Sequence, residues 1–121
     1  MDRTGCIVRR WSGRIRTSDE TSFVAQLEGN RLHDYSATVG NLCAEILMRR
    51  LDDGSTEVTA LSWWRSREAA KAFAGDRLEL ARYYPGGAEF LLERPVEVEH
   101  HTVVTSAAGY DPALGRNDVN Y

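Results

Sequence analysis

Two apolar runs, LCAEILMRRL at 42–51 and TEVTALSWW at 56–64, flank the tetrapeptide Asp52-Asp53-Gly54-Ser55. Asp and Gly tolerate the positive φ of a tight connection, so this spacing dictates an antiparallel hairpin. The second arm carries apolar residues at both parities: Val58, Ala60 and Trp64 on one, Leu61 and Trp63 on the other. Neighbouring strand residues face opposite sides of a sheet, so both faces of this arm are apolar. The rest of the fold must therefore supply two covers for one sheet.

Only one cover is encoded in the flanking segments. CIVRRWSGRI, 6–15, reads as a strand with Ile7, Trp11 and Ile15 on one parity. Thr17-x-x-Glu20 has the pattern of a capping box and predicts a helix of about five turns to Thr38, weakened in its middle by Gly29-Asn30. Gly40-Asn41 ends that unit. After the hairpin, Ser66 is placed to cap a short helix with Glu68 near its N-terminal dipole, and Gly75 is placed to stop it. DRLELARYY, 76–84, predicts a further helical stretch broken by Pro85-Gly86-Gly87; AEFLLE predicts at most another helical turn. PVEVEHHTVV, 95–104, alternates as a last strand.

The order is β-α-β-β-α-β, a ferredoxin-like α+β subunit with an antiparallel sheet and helices on one face. The bare second face then calls for a second copy of the chain. The expected organisation is one domain over 1–104 and a mobile tail over 105–121, where no period is seen. A chain of 121 residues is large enough to build one core without staples.

Composition excludes several classes. Fifteen basic against eighteen acidic residues leave a net charge of -3, and Arg9-Arg10 and Arg49-Arg50 lie in strands whose neighbours diverge. Such a chain lacks the basic face that phosphate neutralisation needs, so no nucleic-acid partner is expected. No window has the ~20 apolar residues of a membrane span. Arginines interrupt the only apolar run of MDRTGCIVRRW, so no signal peptide is read there. Cys6 and Cys43 belong to no CxxC pattern and fall on non-adjacent strands; two free thiols suit a cytoplasmic protein. Three histidines without clustering make no metal site.

Trp64-x-Ser66, Ala70, Phe73-Ala74-Gly75, Ala81-x-Tyr83-Tyr84-Pro85, Phe90-Leu91 and Val98-x-His100 resemble a bacterial group in the antibiotic biosynthesis monooxygenase-like superfamily. The similarity spans roughly residues 6–104. It implies a dimeric α+β barrel in which two ferredoxin-like units join through their sheets. The superfamily includes oxygenases, haem-degrading enzymes, isomerases and members without an assigned activity. In the haem-degrading branch a histidine on the helix after the third strand ligates iron, and an asparagine sits on the first strand. SREAAKAFAGDRLELARYY has no histidine and CIVRRWSGRI no asparagine. The polyketide oxygenase branch pairs an asparagine and a tryptophan near the third strand with a tyrosine on the following helix. Trp63 or Trp64 matches that tryptophan; TEVTALSWW contains no asparagine, and Tyr83 and Tyr84 come later than the pattern places them.

The candidate residues follow from face and resemblance together. Trp64 shares its parity with Ser62, Ala60 and Val58, small side chains that leave room beneath an indole, and is expected to face the helices and a pocket. Trp63 is expected at the seam between subunits. The competing reading has both indoles as packing residues. His100, with Val96, Val98 and Val104 on its face, is the candidate general base, its pKa lowered by apolar surroundings, though a hydrogen-bonded core histidine fits the same pattern. His101 is expected exposed and His33 at the surface. Tyr83 and Tyr84 are placed to rim a cleft and bind substrate. Cofactor-free oxygenation needs an electron-rich phenol or enol, a dry aromatic pocket and a base, with no flavin, haem or metal. The resemblance implies such a monooxygenase acting on a small hydrophobic or aromatic molecule. The alternative is a non-catalytic dimeric module that binds a small ligand or has a structural role; the unmatched asparagine favours it.

Overall fold

The computed structural model describes residues 2–107, 109–111 and 116–117. Four strands, β1 (Ile7–Arg16), β2 (Asn41–Arg50), β3 (Ser55–Trp64) and β4 (Glu99–Thr102), form one antiparallel sheet in the order β2-β3-β1-β4. The hairpin is closed at Gly54, φ 82°, and the Asp53 carboxylate accepts from the Ser55 N–H at 3.0 Å. In the β1–β3 register, Ile7 faces Trp64, Trp11 faces Ala60 and Ile15 faces Thr56. These odd positions of β1 and even positions of β3 make the covered side of the sheet.

The cover consists of α1 (Glu20–Gly29), α2 (Arg31–Ala37) and α3 (Arg67–Ala74). Phe23 and Leu27 of α1 pack on Trp11, Ile15, Val58 and Ala60; Tyr35, Ala70 and Phe73 of α2 and α3 pack on Ile7 and Trp64. All three helices thus serve the same face, giving the ferredoxin-like α+β architecture. The predicted five-turn helix is two helices. The chain breaks at Asn30 (φ -130°, ψ -78°), whose side-chain oxygen accepts from the Arg31 N–H and starts α2. That break turns Arg31 toward the sheet. Ser66 caps α3 as read, accepting from the Ala69 N–H at 3.1 Å, and Gly75 ends it at φ 93°.

Three local expectations are corrected. The Thr17/Glu20 capping box does not form: residues 17–19 make a 3-10 turn, while the Glu20 carboxylate accepts from Arg50 at 3.0 Å and from the Thr56 hydroxyl at 2.7 Å. Residues 76–84 are not helical. The Arg9 guanidinium, on the covered face of β1 and only 2% exposed, donates to the carbonyls of Leu78 (2.6 Å) and Leu80 (2.8 Å), which a helix would need for its own N–H groups. The segment runs beside residues 96–98 instead, with Ala81 N–H on Val96 O and Val98 N–H on Glu79 O. That pairing uses the region expected as the start of the last strand, so β4 is only four residues long.

Cys6 and Cys43 are both free thiols. No helix among the described residues is long and apolar enough to cross a membrane. In the tail, β5 (Tyr110–Asp111) and β6 (Arg116–Asn117) pair as a small separate ribbon. The other residues on which the expectation of a mobile tail falls, 108, 112–115 and 118–121, lie outside the described residues.

Candidate functional site

The covered face is not filled evenly. Trp11 projects from the middle of β1 opposite Ala60, and its indole swings over Gly13. A methyl carbon at Gly13 would stand 2.7 Å from Trp11 Cζ2, closer than packing permits, so the missing side chain creates the indole's berth. Beyond the ring lies a cavity walled by Trp11, Val58 and Ala60 from the sheet, Phe23 and Leu27 from α1, and Tyr83 and Tyr84 from the irregular segment after α3. Asn30 and Arg31, at the helix break, complete it from one end. The surrounding atoms leave about 370 Å³ of space, counting the part open to solvent. It is narrow, with room for little more than a water molecule until a wall side chain moves.

The polar groups of the wall are tied to one another. Trp11 Nε1 donates to the Tyr83 hydroxyl at 3.2 Å, and that hydroxyl donates to the carbonyl of Pro95. The rings of Trp11 and Tyr83 meet edge to face, 6.3 Å apart. Tyr84 donates to Asp34 Oδ2 at 2.8 Å, and Arg82 Nη2 reaches the same oxygen at 3.2 Å. Burial and the acceptor carboxylate push the Tyr84 phenol up from its ordinary value, so it stays a neutral donor. Arg31 is 6% exposed and lies over two rings of the wall, 5.5 Å from the Trp11 centroid and 5.3 Å from that of Tyr84. Its terminal nitrogens donate to the Tyr35 hydroxyl at 3.3 Å and to the Arg82 carbonyl. Among the described residues no carboxylate pairs with it.

The structure brings Tyr83 and Tyr84 to the cavity but not the other two residues expected there. Trp64 faces the helices and is completely buried, yet does not line the cavity. It packs against Tyr35 and Phe73, with centroids 6.2 and 5.6 Å away, and donates from Nε1 to the buried Ser62 hydroxyl at 2.9 Å. The room expected beneath Trp64 lies further along the same face, beneath Trp11. His100 shares the covered face through its pairing with Arg9, but is also not in the wall. Its Nε2 lies 3.2 Å from Arg9 Nη1 and is the acceptor there. Burial, then the neighbouring Arg9 charge, lower the His100 pKa to about 4. Trp63 lies on the opposite, uncovered face, half-buried beneath the Arg3 guanidinium at 5.2 Å. His33 and His101 are exposed. No cluster of metal-ligating side chains occurs among the described residues.

Trp11 and Arg31 were legible only in part. Trp11 is visible as an inward aromatic, but a strand's parity does not say which inward residue is left with empty space before it. Arg31 sits in a polar stretch, EGNRLHD at 28–34; its burial arises from the bend at Asn30 and from the distant carbonyl of Arg82.

No protein-family model matches the chain, and no curated protein does. Solved structures do. A Bacillus cereus protein named among the antibiotic biosynthesis monooxygenases aligns over 86% of this chain and 98% of its own, at a TM-score of 0.61 and 16% identity. A Nitrosomonas europaea protein of the same name aligns over 82% of this chain and 90% of its own (TM-score 0.58, 16% identity). A Streptomyces coelicolor monooxygenase, solved in complex with nanaomycin D, aligns over 83% and 88% (TM-score 0.52, 19% identity). The chain has the fold of the antibiotic biosynthesis monooxygenase-like proteins.

Proposed function

We propose that the chain is a cofactor-independent monooxygenase for a small aromatic or enolisable molecule, bound in the cavity between Trp11 and Tyr83. The observation that supports it is an apolar, aromatic-walled cavity on the helical side of a sheet whose fold is that of proteins named monooxygenases. In this reading Trp11 and Tyr83, locked by their hydrogen bond, form the stacking wall, and Tyr84 closes the cavity over the ligand. A substrate anion transfers one electron to oxygen; the carbon radical and superoxide combine and take up a proton as a hydroperoxide. Loss of water then turns the original CH₂ into a carbonyl, consuming one O₂ per carbonyl formed. The protein's part is to hold the carbon acid flat and keep water out.

A specific observation favours a second reading, a non-catalytic ligand-binding module. Among the described residues, the cavity wall contains no histidine and no carboxylate, so it offers no general base of ordinary strength. The two readings separate in an oxygen electrode with anthrone as substrate. Uptake matched by anthraquinone formation, and abolished in Trp11→Ala, is expected of the enzyme. Saturable quenching of tryptophan fluorescence without oxygen uptake would leave the binding module.

The same proposal includes a homodimer through the uncovered sheet face, where Leu47 is 47% exposed and Leu61 and Trp63 are half-buried. Sedimentation of the wild type as a dimer, shifted to monomer by Leu61→Arg, is the expected result.

A further inference from the structure

Among the described residues two arginines, Arg9 of β1 and Arg31 of α2, are buried on the helical side of the sheet, and they are employed differently. Arg9 spends both terminal nitrogens on main-chain carbonyls at 2.6 and 2.8 Å and on the His100 ring, and it does not border the cavity. Arg31 borders it. A guanidinium carries five N–H donors; Arg31 uses two, one on a hydroxyl at 3.3 Å and one on the Arg82 carbonyl. Every fully enclosed side-chain nitrogen or oxygen among the described residues has a hydrogen-bond partner. The Arg31 Nε, which has none, is therefore not sealed in, and Arg31 is one of the residues that line the cavity. Charge points the same way. Around Tyr84, Arg31 and Arg82 face one carboxylate, Asp34, which is held by Arg82 and the Tyr84 hydroxyl. One positive charge is left over, in surroundings where a buried cation is unfavourable without a counter-charge. The aromatic faces of Trp11 and Tyr84 compensate it in part.

We propose that the cavity selects flat aromatic anions, a phenolate, an enolate or an aryl carboxylate, with the Arg31 guanidinium as their receptor and Trp11 as the stacking surface. The inference rests on the reading of the cavity as an aromatic-ligand site and adds the charge of what enters it. It also supplies what the wall lacks: a substrate stabilised as its anion beside Arg31 needs no strong base.

The test compares 2-naphthoate with its neutral counterpart 2-naphthamide by tryptophan quenching and calorimetry at pH 7. The wild type is expected to bind naphthoate at least tenfold more tightly. Arg31→Met is expected to remove that preference while keeping naphthamide affinity within about twofold, and Arg31→Lys to retain part of it. Because Arg31 also ties α2 to Arg82, the wild-type ratio is decisive even if Arg31→Met does not fold. Equal wild-type affinities, or a preference surviving in a folded Arg31→Met, would overturn the receptor role while leaving the aromatic cavity standing. Binding of neither probe would overturn the cavity reading and the receptor with it.

Discussion

If Trp64 is a packing residue rather than a cavity wall, its replacement has a calculable effect on stability and none on ligand binding. Trp64→Phe removes part of a fully buried indole and leaves the enclosed Ser62 hydroxyl without its donor. Complete truncation of a buried tryptophan costs about 3–5 kcal/mol, so the partial loss is about 1.5 kcal/mol. The orphaned hydroxyl adds about 1.5 kcal/mol, for a total near 3. Ser62→Ala leaves the indole N–H unpaired in the same enclosure, also about 1.5 kcal/mol. The double variant has no orphan and adds to the truncation only the net loss of the hydrogen bond, about 1 kcal/mol, so its cost should be about 2.5 kcal/mol rather than the sum of about 4.5, a coupling of about 2 kcal/mol. A domain of this length has about 6–18 kcal/mol of stability, so all three variants should fold. Urea unfolding followed by far-ultraviolet circular dichroism gives the cycle, and 2-naphthamide quenching should match the wild type throughout. Additive single costs would refute the Trp64–Ser62 hydrogen bond. A binding defect in a stable Trp64→Phe would refute the assignment of Trp64 to the core.

Two other expectations follow from particular contacts. Gly13→Ala forces the Trp11 indole from its berth; overpacking of about 1–3 kcal/mol exceeds the gain of about 0.4–1 kcal/mol from a stiffer unfolded chain, so the variant should lose about 1–2 kcal/mol and its aromatic-ligand quenching. A thermal melt and a probe titration check the two halves. His100 has a folded pKa near 4 against an ordinary 6.5, so the unfolded chain takes up its proton first. Stability from this group is full above pH 6.5 and is lost as pH falls toward 4, on the order of 1 kcal/mol after discounting for its partial exposure. His100→Gln, which keeps an acceptor for Arg9, should flatten the melting temperature between pH 4 and 6.5; an unchanged slope would refute the shift.

The sequence by itself determined the elements whose signals are local. The hairpin at Gly54, the Ser66 cap, the Gly75 stop and the inward parity of Ile7, Trp11 and Ile15 each depend on a few adjacent residues. Strand order follows from them, because a hairpin and two crossovers leave few arrangements. What only the tertiary structure decided depends on groups far apart in the chain. Whether 76–84 becomes a helix is settled by Arg9, some seventy positions upstream, taking the carbonyls that the helix would have used. Whether Trp64 or Trp11 faces empty space is settled by what α1, α2 and α3 lay against each, and parity is blind to that. The burial of Arg31 depends on the bend at Asn30, which carries it over the rings of Trp11 and Tyr84. Periodicity reports which side of a strand or helix is apolar; only packing in three dimensions determines where that side is left unfilled and which charge is shut in beside the gap.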